Sequence, residues 1–323
     1  MSKPLIHVAA GMIQRADGSL LLAERPADKP WSGWWELPGG KIEPGETVLE
    51  ALARELKEEL DIDVTEATPW ITHVHEYPKN IVRLAFCRVT AWNGTPVGRE
   101  GQILAWVDPR QPITVGQLLP ATEPPLRWLQ LPDHYLLTSI ERSENLPRFM
   151  DLLTQALRRG VKLVQFREPA WAANAAEHEV YAGFKQVLQK CREFEARCLV
   201  NSSHPVQWRT QADGTQWRAQ DARALAESGS PAPAPGLIGV SAHTLDDLAA
   251  ARALNADFVV LGHVLDTPSH PDRPGMGWEQ FSRLAEQAGR PVFAIGGQSA
   301  QTRPAAREHG AHGIAGIRHL LLA

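Results

Sequence analysis

The stretch Gly40 to Ile62, GKIEPGETVLEALARELKEELDI, decides how the first part of this chain folds and which chemistry it can carry. The turn Glu43-Pro44-Gly45-Glu46-Thr47 opens a helical run, with Glu46 or Thr47 as its N-cap. Inside that run Glu55, Glu58 and Glu59 stand at i, i+3 and i+4, so at 3.6 residues per turn their carboxylates leave one helix face. Arg54 adjoins them. A Glu-rich helix is ordinarily a solvated face, and Glu50, Lys57 and Glu66 suit that description. Three clustered carboxylates, by contrast, repel one another unless a cation sits among them. Ahead of the helix, Trp34-Trp35-Glu36-Leu37 ends in Pro38-Gly39-Gly40, where glycine lets a backbone carbonyl approach such a cation.

The spacing resembles the signature of the Nudix hydrolases, G-x5-E-x7-R-E-U-x-E-E-x-G-U, with U aliphatic. Gly40, Glu46, Arg54, Glu55, Leu56, Glu58, Glu59 and Ile62 occupy their places, while Asp61 stands where the pattern has glycine. That position ends the helix, where Asp tolerates a left-handed backbone at some cost. The resemblance implies a Nudix α/β/α sandwich with a mixed sheet over residues 1–131, and hydrolysis dependent on Mg2+, with Mn2+ as the alternative. It assigns the metal to Glu55, Glu58, Glu59 and the Gly39 carbonyl, with Arg54 orienting the carboxylates and Glu46 completing the catalytic set.

The flanks are similar to the MutT branch, which hydrolyses oxidised guanine nucleoside triphosphates to the monophosphate and pyrophosphate. On that likeness Arg25, Leu37, Gly40 and Tyr77 face the nucleotide, and Glu100 is a further metal-facing carboxylate. Thr122 falls where the branch places a base-reading asparagine. An asparagine offers a base edge both a donor and an acceptor, whereas threonine has one hydroxyl. The nucleotide is therefore left open between oxidised guanine, a broader range of triphosphates and another nucleoside diphosphate derivative. Two local expectations accompany this reading. Ile6–Ile13, a turn at Asp17-Gly18 and Leu20–Arg25 predict a hairpin, and residues 125–129 predict a closing helix.

A chain of 323 residues with 43% hydrophobic content can fill two cores, and the pattern changes near Leu131-Pro132-Asp133. The net charge of -4, with no basic run interleaved with aromatics, argues against a nucleic-acid surface. Cys87, Cys191 and Cys198 form neither a paired framework nor a metal spacing, which points to a reducing compartment. No apolar run reaches spanning length and no signal-peptide layout opens the chain, so the expectation is a cytoplasmic protein without a membrane partner.

From 134 to 323, short apolar runs alternate with helix-length segments. The runs are 134–138, 162–167, 198–201, 212–215, 237–241, 258–262, 291–296 and 313–317, and eight of them predict a (β/α)8 TIM barrel. Ser228–Gly236, SGSPAPAPG, is expected to be a surface loop. Barrel chemistry sits where strands end, which directs attention to Arg167, Asn201, Ser241, His243, Thr267 and Gly296-Gly297. The two glycines expose N–H groups to a phosphate, and Gln298-Ser299 is expected to begin a short helix whose N-terminus favours the same anion.

This half resembles thiamine-phosphate synthase and the related thiazole tautomerase. Gln165-Phe166-Arg167-Glu168, Ile238-Gly239-Val240-Ser241-Ala242-His243 and Ala294-Ile295-Gly296-Gly297 carry the likeness, which also makes Asp221 a metal ligand and His243 the tautomerase base. Pro169, Ser202 and His270 stand where the synthase has lysine, aspartate and lysine. Their loss removes groups that would hold a magnesium pyrophosphate. A barrel that binds a phosphorylated thiazole or similar ligand, with or without tautomerase chemistry, is thus expected ahead of a synthase. For the whole chain two readings stand: a nucleotide-pool hydrolase with an appended barrel, or a thiamine-pathway enzyme whose first half removes a related diphosphate.

Overall fold

The computed structural model describes residues 3–230, 236–267 and 273–322, which divide into two compact units, Met1–Leu131 and Pro132–Ala323. In the first unit, strands β1 (Leu5–Ile13), β4 (Gly39–Lys41), β5 (Asp63–Glu76) and β6 (Ile81–Asn93) form a mixed sheet in the order β4-β1-β6-β5. β1 runs parallel to β6, and the other pairings are antiparallel. A second sheet, β3-β2-β7, joins Trp35–Glu36, Leu20–Glu24 and Leu104–Val107.

The hairpin expected between residues 6 and 25 does not form a ladder. β4 and β6 occupy both edges of β1, so the chain turns after one bridge, Gln14 to Leu20, and β2 enters the other sheet. Helix α1 (Val48–Leu60) lays Ala51, Leu52, Leu56 and Leu60 on Ala9, Ile13, Cys87 and Val89 of the mixed sheet. A separate core joins Met12, Leu22, Trp35, Trp70 and Phe86 to Leu126 and Trp128 of helix α2 (Glu123–Trp128).

The second unit is a closed barrel of eight parallel strands. They are β8 (His134–Leu137), β9 (Leu163–Phe166), β10 (Arg197–Asn201), β11 (Gly214–Trp217), β12 (Leu237–Ala242), β13 (Phe258–Gly262), β14 (Val292–Ile295) and β15 (Gly313–Gly316). A helix follows each strand, which is the arrangement that gives parallel neighbours a return path. The fourth strand begins two residues later than residues 212–215 suggested, because Ala212 packs into the core beside Trp208 and Asp213 turns to accept the Cys198 N–H at 2.8 Å. The expected loop 228–236 lies partly outside the described residues. No helix among the described residues is long and apolar enough to cross a membrane, and all three cysteines are unpaired and buried.

The barrel closes on an ionic clasp. Asp133, just ahead of β8, receives Arg303 at 3.0 Å, Arg307 at 2.8 Å and the ring of His134 at 2.7 Å. Burial works to raise the Asp133 pKa, yet these three partners outweigh it and hold the carboxyl below its usual range.

Candidate active sites of the two units

Helix α1 is fixed at both ends by groups legible in the sequence. Thr47 is its N-cap, with a capping box in which the Glu50 carboxylate accepts the Thr47 N–H at 2.8 Å. Asp61 closes it in the left-handed region, φ 57°, where its N–H reaches back to the last helical carbonyls. Asp61 thus does the work of the glycine in the signature.

Between these caps Arg54 gathers the carboxylates. Its guanidinium donates to both oxygens of Glu46 at 2.7 and 3.0 Å, to Glu55 at 2.9 Å and to the Lys41 carbonyl at 3.0 Å, with Glu58 at 3.4 Å. The Arg54 hydrogen bond, and then the Glu43 N–H, pull Glu46 down to about 2. A Cβ on Gly40 would lie 2.2 Å from the Glu55 carboxylate, so the absence of a side chain there is what lets that carboxylate sit against the strand.

Glu59 lies on a different set of partners. It accepts the Gly39 N–H at 3.1 Å, and the Lys29 ammonium stands 3.9 Å from its other oxygen while pairing with Glu100. Burial pushes Glu59 up to about 7; Gly39 and Lys29 oppose the shift, and Glu36 and Glu100 add to it. The expected single cluster of Glu55, Glu58 and Glu59 is therefore divided. Among the described residues no three His, Cys, Asp or Glu side chains converge to hold a metal ion. The cause is electrostatic: each like-charged carboxylate turns to its nearest donor, Arg54 for Glu55 and Glu58, Lys29 and Gly39 for Glu59. Gly39 enters through its N–H. The donors nevertheless suit a hard divalent cation, since they are carboxylate oxygens already gathered around cationic groups.

Two of the nucleotide-facing candidates, Arg25 and Tyr77, lie beside Glu36. One Arg25 nitrogen reaches both oxygens of Glu36 at 2.5 and 2.7 Å, and its Nε donates to the Pro30 carbonyl at 2.8 Å. The backbone of Ala121 bonds the Tyr77 hydroxyl, with Glu36 and Arg25 in electrostatic range; burial first, then Glu36, raises the Tyr77 pKa. Thr122 is buried where α2 begins, and its side chain makes no cap to that helix. Leu37 is also buried. Lys29, Trp31, Trp34 and Glu36, which the motif does not include, complete this neighbourhood. The density of tryptophan at residues 31, 34 and 35 was the available signal.

In the barrel, Asn201 and Ser241 belong to one row of hydrogen bonds, buried except at its Ser241 end. Asn201 donates to Gln165 at 2.9 Å, Gln165 to the Tyr135 hydroxyl at 3.2 Å, Tyr135 to Gln216 at 3.2 Å, and Gln216 to Ser241 at 3.1 Å. Tyr135 and Gln216 escape a motif search, because they stand 81 residues apart in the chain and only barrel closure makes them neighbours. A Cβ on Gly239 would come within 2.2 Å of the Gln216 oxygen, which explains that glycine.

His243 approaches the Gly262 carbonyl through Nδ1 at 2.5 Å. A carbonyl only accepts, so Nδ1 bears the proton and Nε2 is the basic nitrogen. Asp221, the expected metal ligand, is engaged by Arg218 at 2.7 and 3.0 Å and by the Ser202 hydroxyl. Arg167 is exposed. Gly296 and Gly297 have φ values of 94° and 66°, and a Cβ on Gly296 would lie 2.4 Å from His263. The helix expected at Gln298 instead begins at Arg303. Gln298 folds back to donate to the Gly296 carbonyl at 2.7 Å, and the Thr302 hydroxyl accepts the Ser299 N–H at 2.9 Å. Thr267 is described, whereas Ser269 and His270 lie outside the described residues.

Behind Arg167, buried His204 accepts the Glu168 N–H on Nε2 at 3.1 Å and stacks on Trp208. Burial, then the nearby Arg167 charge, lowers its pKa to about 4. The unfolded chain, with an ordinary histidine pKa of about 6.5, binds more protons below that pH. Stability from this group is therefore whole above about 6.5 and lost as pH falls to about 4, by roughly 2–3 kcal/mol. Thermal unfolding of the wild type and of His204→Gln is expected to show a flatter pH dependence for the variant across that window. Parallel curves would refute the assignment.

Comparison with known proteins places these sites in context. Residues 5–130 match the NUDIX domain family, and residues 134–320 match the family described as Thiamine monophosphate synthase. An 8-oxo-dGTP diphosphatase of Proteus vulgaris is 41% identical over 101 residues, covering 31% of this chain and 90% of the relative. A CTP pyrophosphohydrolase of Escherichia coli (strain K12) is 41% identical over 107 residues, 33% of this chain and 78% of the relative. A thiamine-phosphate synthase of Synechococcus sp. (strain WH7803) is 31% identical over 191 residues, 58% of this chain and 51% of the relative.

Proposed function

The chain belongs to the Nudix family over residues 5–130 and to the thiamine monophosphate synthase family over residues 134–320, and from that premise we propose that it hydrolyses nucleoside triphosphates. The proposed reaction takes a triphosphate and water to the monophosphate and pyrophosphate, with Mg2+ or Mn2+ required and an oxidised guanine nucleotide as the preferred substrate. Its role would be to keep such nucleotides out of the pool used for DNA synthesis. The observation that carries this reading is Arg54 holding Glu46, Glu55 and Glu58 on one side while Glu59 lies on the Gly39 N–H.

Glu59, with Glu55, Glu58 and Glu100, would hold the metal, which supplies Lewis-acid polarisation of the phosphoryl group and a more acidic bound water. Arg54 orients Glu55 and screens its charge from Glu46 and Glu58. Tyr77, Thr122 and Arg25 face the nucleoside.

A panel of nucleoside triphosphates, including 8-oxo-dGTP, dGTP and CTP, scored for pyrophosphate release with Mg2+, with Mn2+ and with chelator, tests the proposal. Metal-dependent release, fastest with 8-oxo-dGTP, is expected. Equal rates with chelator would overturn it.

For the barrel we propose binding of a phosphorylated thiazole or similar small molecule, with His243 Nε2 as the base of any proton shuttle. Ser241, Asn201 and the Gly296-Gly297 turn support it, and Pro169 together with the Asp221–Arg218 pair weighs against synthesis of thiamine phosphate. Calorimetry with thiazole phosphate should give binding that Gly297→Glu removes, while efficient coupling to a pyrimidine diphosphate would contradict the assignment.

A further inference from the structure

The loop from Pro26 to Gly33 carries two side chains to different partners in the first unit. Lys29 places its ammonium on Glu100, 3.9 Å from Glu59, at the carboxylate end. Two residues later Trp31 holds its indole edge-on to Trp34, with ring centroids 4.8 Å apart, and 6.2 Å from Tyr77. Tyr77 in turn lies beside Ala121, Arg25 and Glu36. The loop is firmly held: Arg25 and Gly33 exchange backbone bonds with Trp34 and Arg25 at 2.9 and 3.1 Å, Lys29 N–H reaches Pro26, and Arg25 Nε reaches Pro30.

Trp31 is anomalous within this ordered loop. Its φ is 64°, a conformation costly for a bulky side chain, and 42% of its surface remains exposed. Burial in the free protein therefore returns little for that strain. A second planar ring laid on the exposed face would return much more.

We propose that this loop reads both ends of the nucleotide, Trp31 by stacking on the base and Lys29 by passing its ammonium from Glu100 to the polyphosphate. The inference rests on the nucleotide reading above and adds two contacts that the Nudix motif does not contain. The distribution along the loop, cation toward the carboxylates and indole toward Tyr77, matches the anionic and aromatic ends of a nucleoside triphosphate.

Calorimetric titration of the full chain with a non-hydrolysable guanosine triphosphate analogue and with inorganic tripolyphosphate, in Mg2+, separates the two contacts without relying on turnover. Trp31→Asn suits the left-handed backbone and removes the ring, so it keeps the loop while deleting the stack. It should weaken the nucleotide analogue about 10-fold or more and leave tripolyphosphate unchanged, with Trp31→Phe restoring most of the loss. Lys29→Met should weaken both ligands by a similar factor. Wild-type preference for the nucleotide persisting in Trp31→Asn, or equal weakening of both ligands by it, would overturn the stacking role; undiminished binding of both ligands to Lys29→Met would overturn the other. Absence of hydrolysis across the substrate panel would sink the enzymatic reading and leave these titrations to decide the contacts.

Discussion

Glu59→Gln lowers nucleoside triphosphate hydrolysis on the order of 100-fold or more, and it does so without unfolding the first unit. The amide keeps the volume of the side chain and an oxygen for the Gly39 N–H, but it removes a partly buried charge from the set that would bind a divalent cation. Glu58→Gln costs less, because the Glu58 side chain is 60% exposed and only a long contact from Arg54 holds it. Stability moves in the opposite direction. The folded-state pKa of Glu59, about 7, is above the ordinary carboxylate value, so the folded protein binds more protons between about 4.5 and 7 and loses stability as pH rises through that window. In chelator at pH 8, Glu59→Gln should therefore be more stable than wild type, by roughly 2 kcal/mol. Steady-state rates and denaturant melts check both halves; a variant with near-native turnover would remove Glu59 from the catalytic set.

The second large effect is on the fold. Gly39→Ala should destabilise the first unit by about 3 kcal/mol or more. Gly39 has φ 143°, and a Cβ there would lie 2.1 Å from the Ala9 carbonyl and 2.9 Å from the Ala10 Cα. Both are backbone atoms of the strand paired with it, so nothing flexible can yield. Gly45→Ala is the control: its φ is 92° but nothing lies within 4 Å of the added carbon, and the expected cost is roughly 1 kcal/mol. Urea denaturation showing equal losses for the two variants would mean that close approach to β1 is not what makes Gly39 necessary.

The parts of this molecule that follow local rules were readable from the chain. Capping of α1, the i, i+3, i+4 face and the alternation that builds the barrel all depend on residues a few positions apart. Misreadings arose where distant groups compete. The residues 6–25 form two runs around a turn, but β6, dozens of residues later, claims the edge a hairpin would have used. Gln298-Ser299 has polar residues suited to a helix start, yet its side chain and backbone groups are taken by Gly296 and Thr302. Glu55, Glu58 and Glu59 share a face as expected, while Arg54 and Lys29 decide where their carboxylates point. Lys29 is remote from the motif in sequence, so its arrival beside Glu59 is a product of tertiary folding.

The hydrogen bonds that cross the barrel from Asn201 to Ser241 all run in one sense. An amide has a donor end and an acceptor end, and the Tyr135 hydroxyl passes one proton onward while receiving another, so no member can reverse alone without setting two donors or two acceptors against each other. The row consequently behaves as one binary element with a forward and a backward setting. In the forward setting Ser241 accepts from Gln216, so its own proton is left to be offered at the barrel mouth. A molecule arriving there thus meets a surface whose polarity is set by a row that draws one side chain from each of five strands.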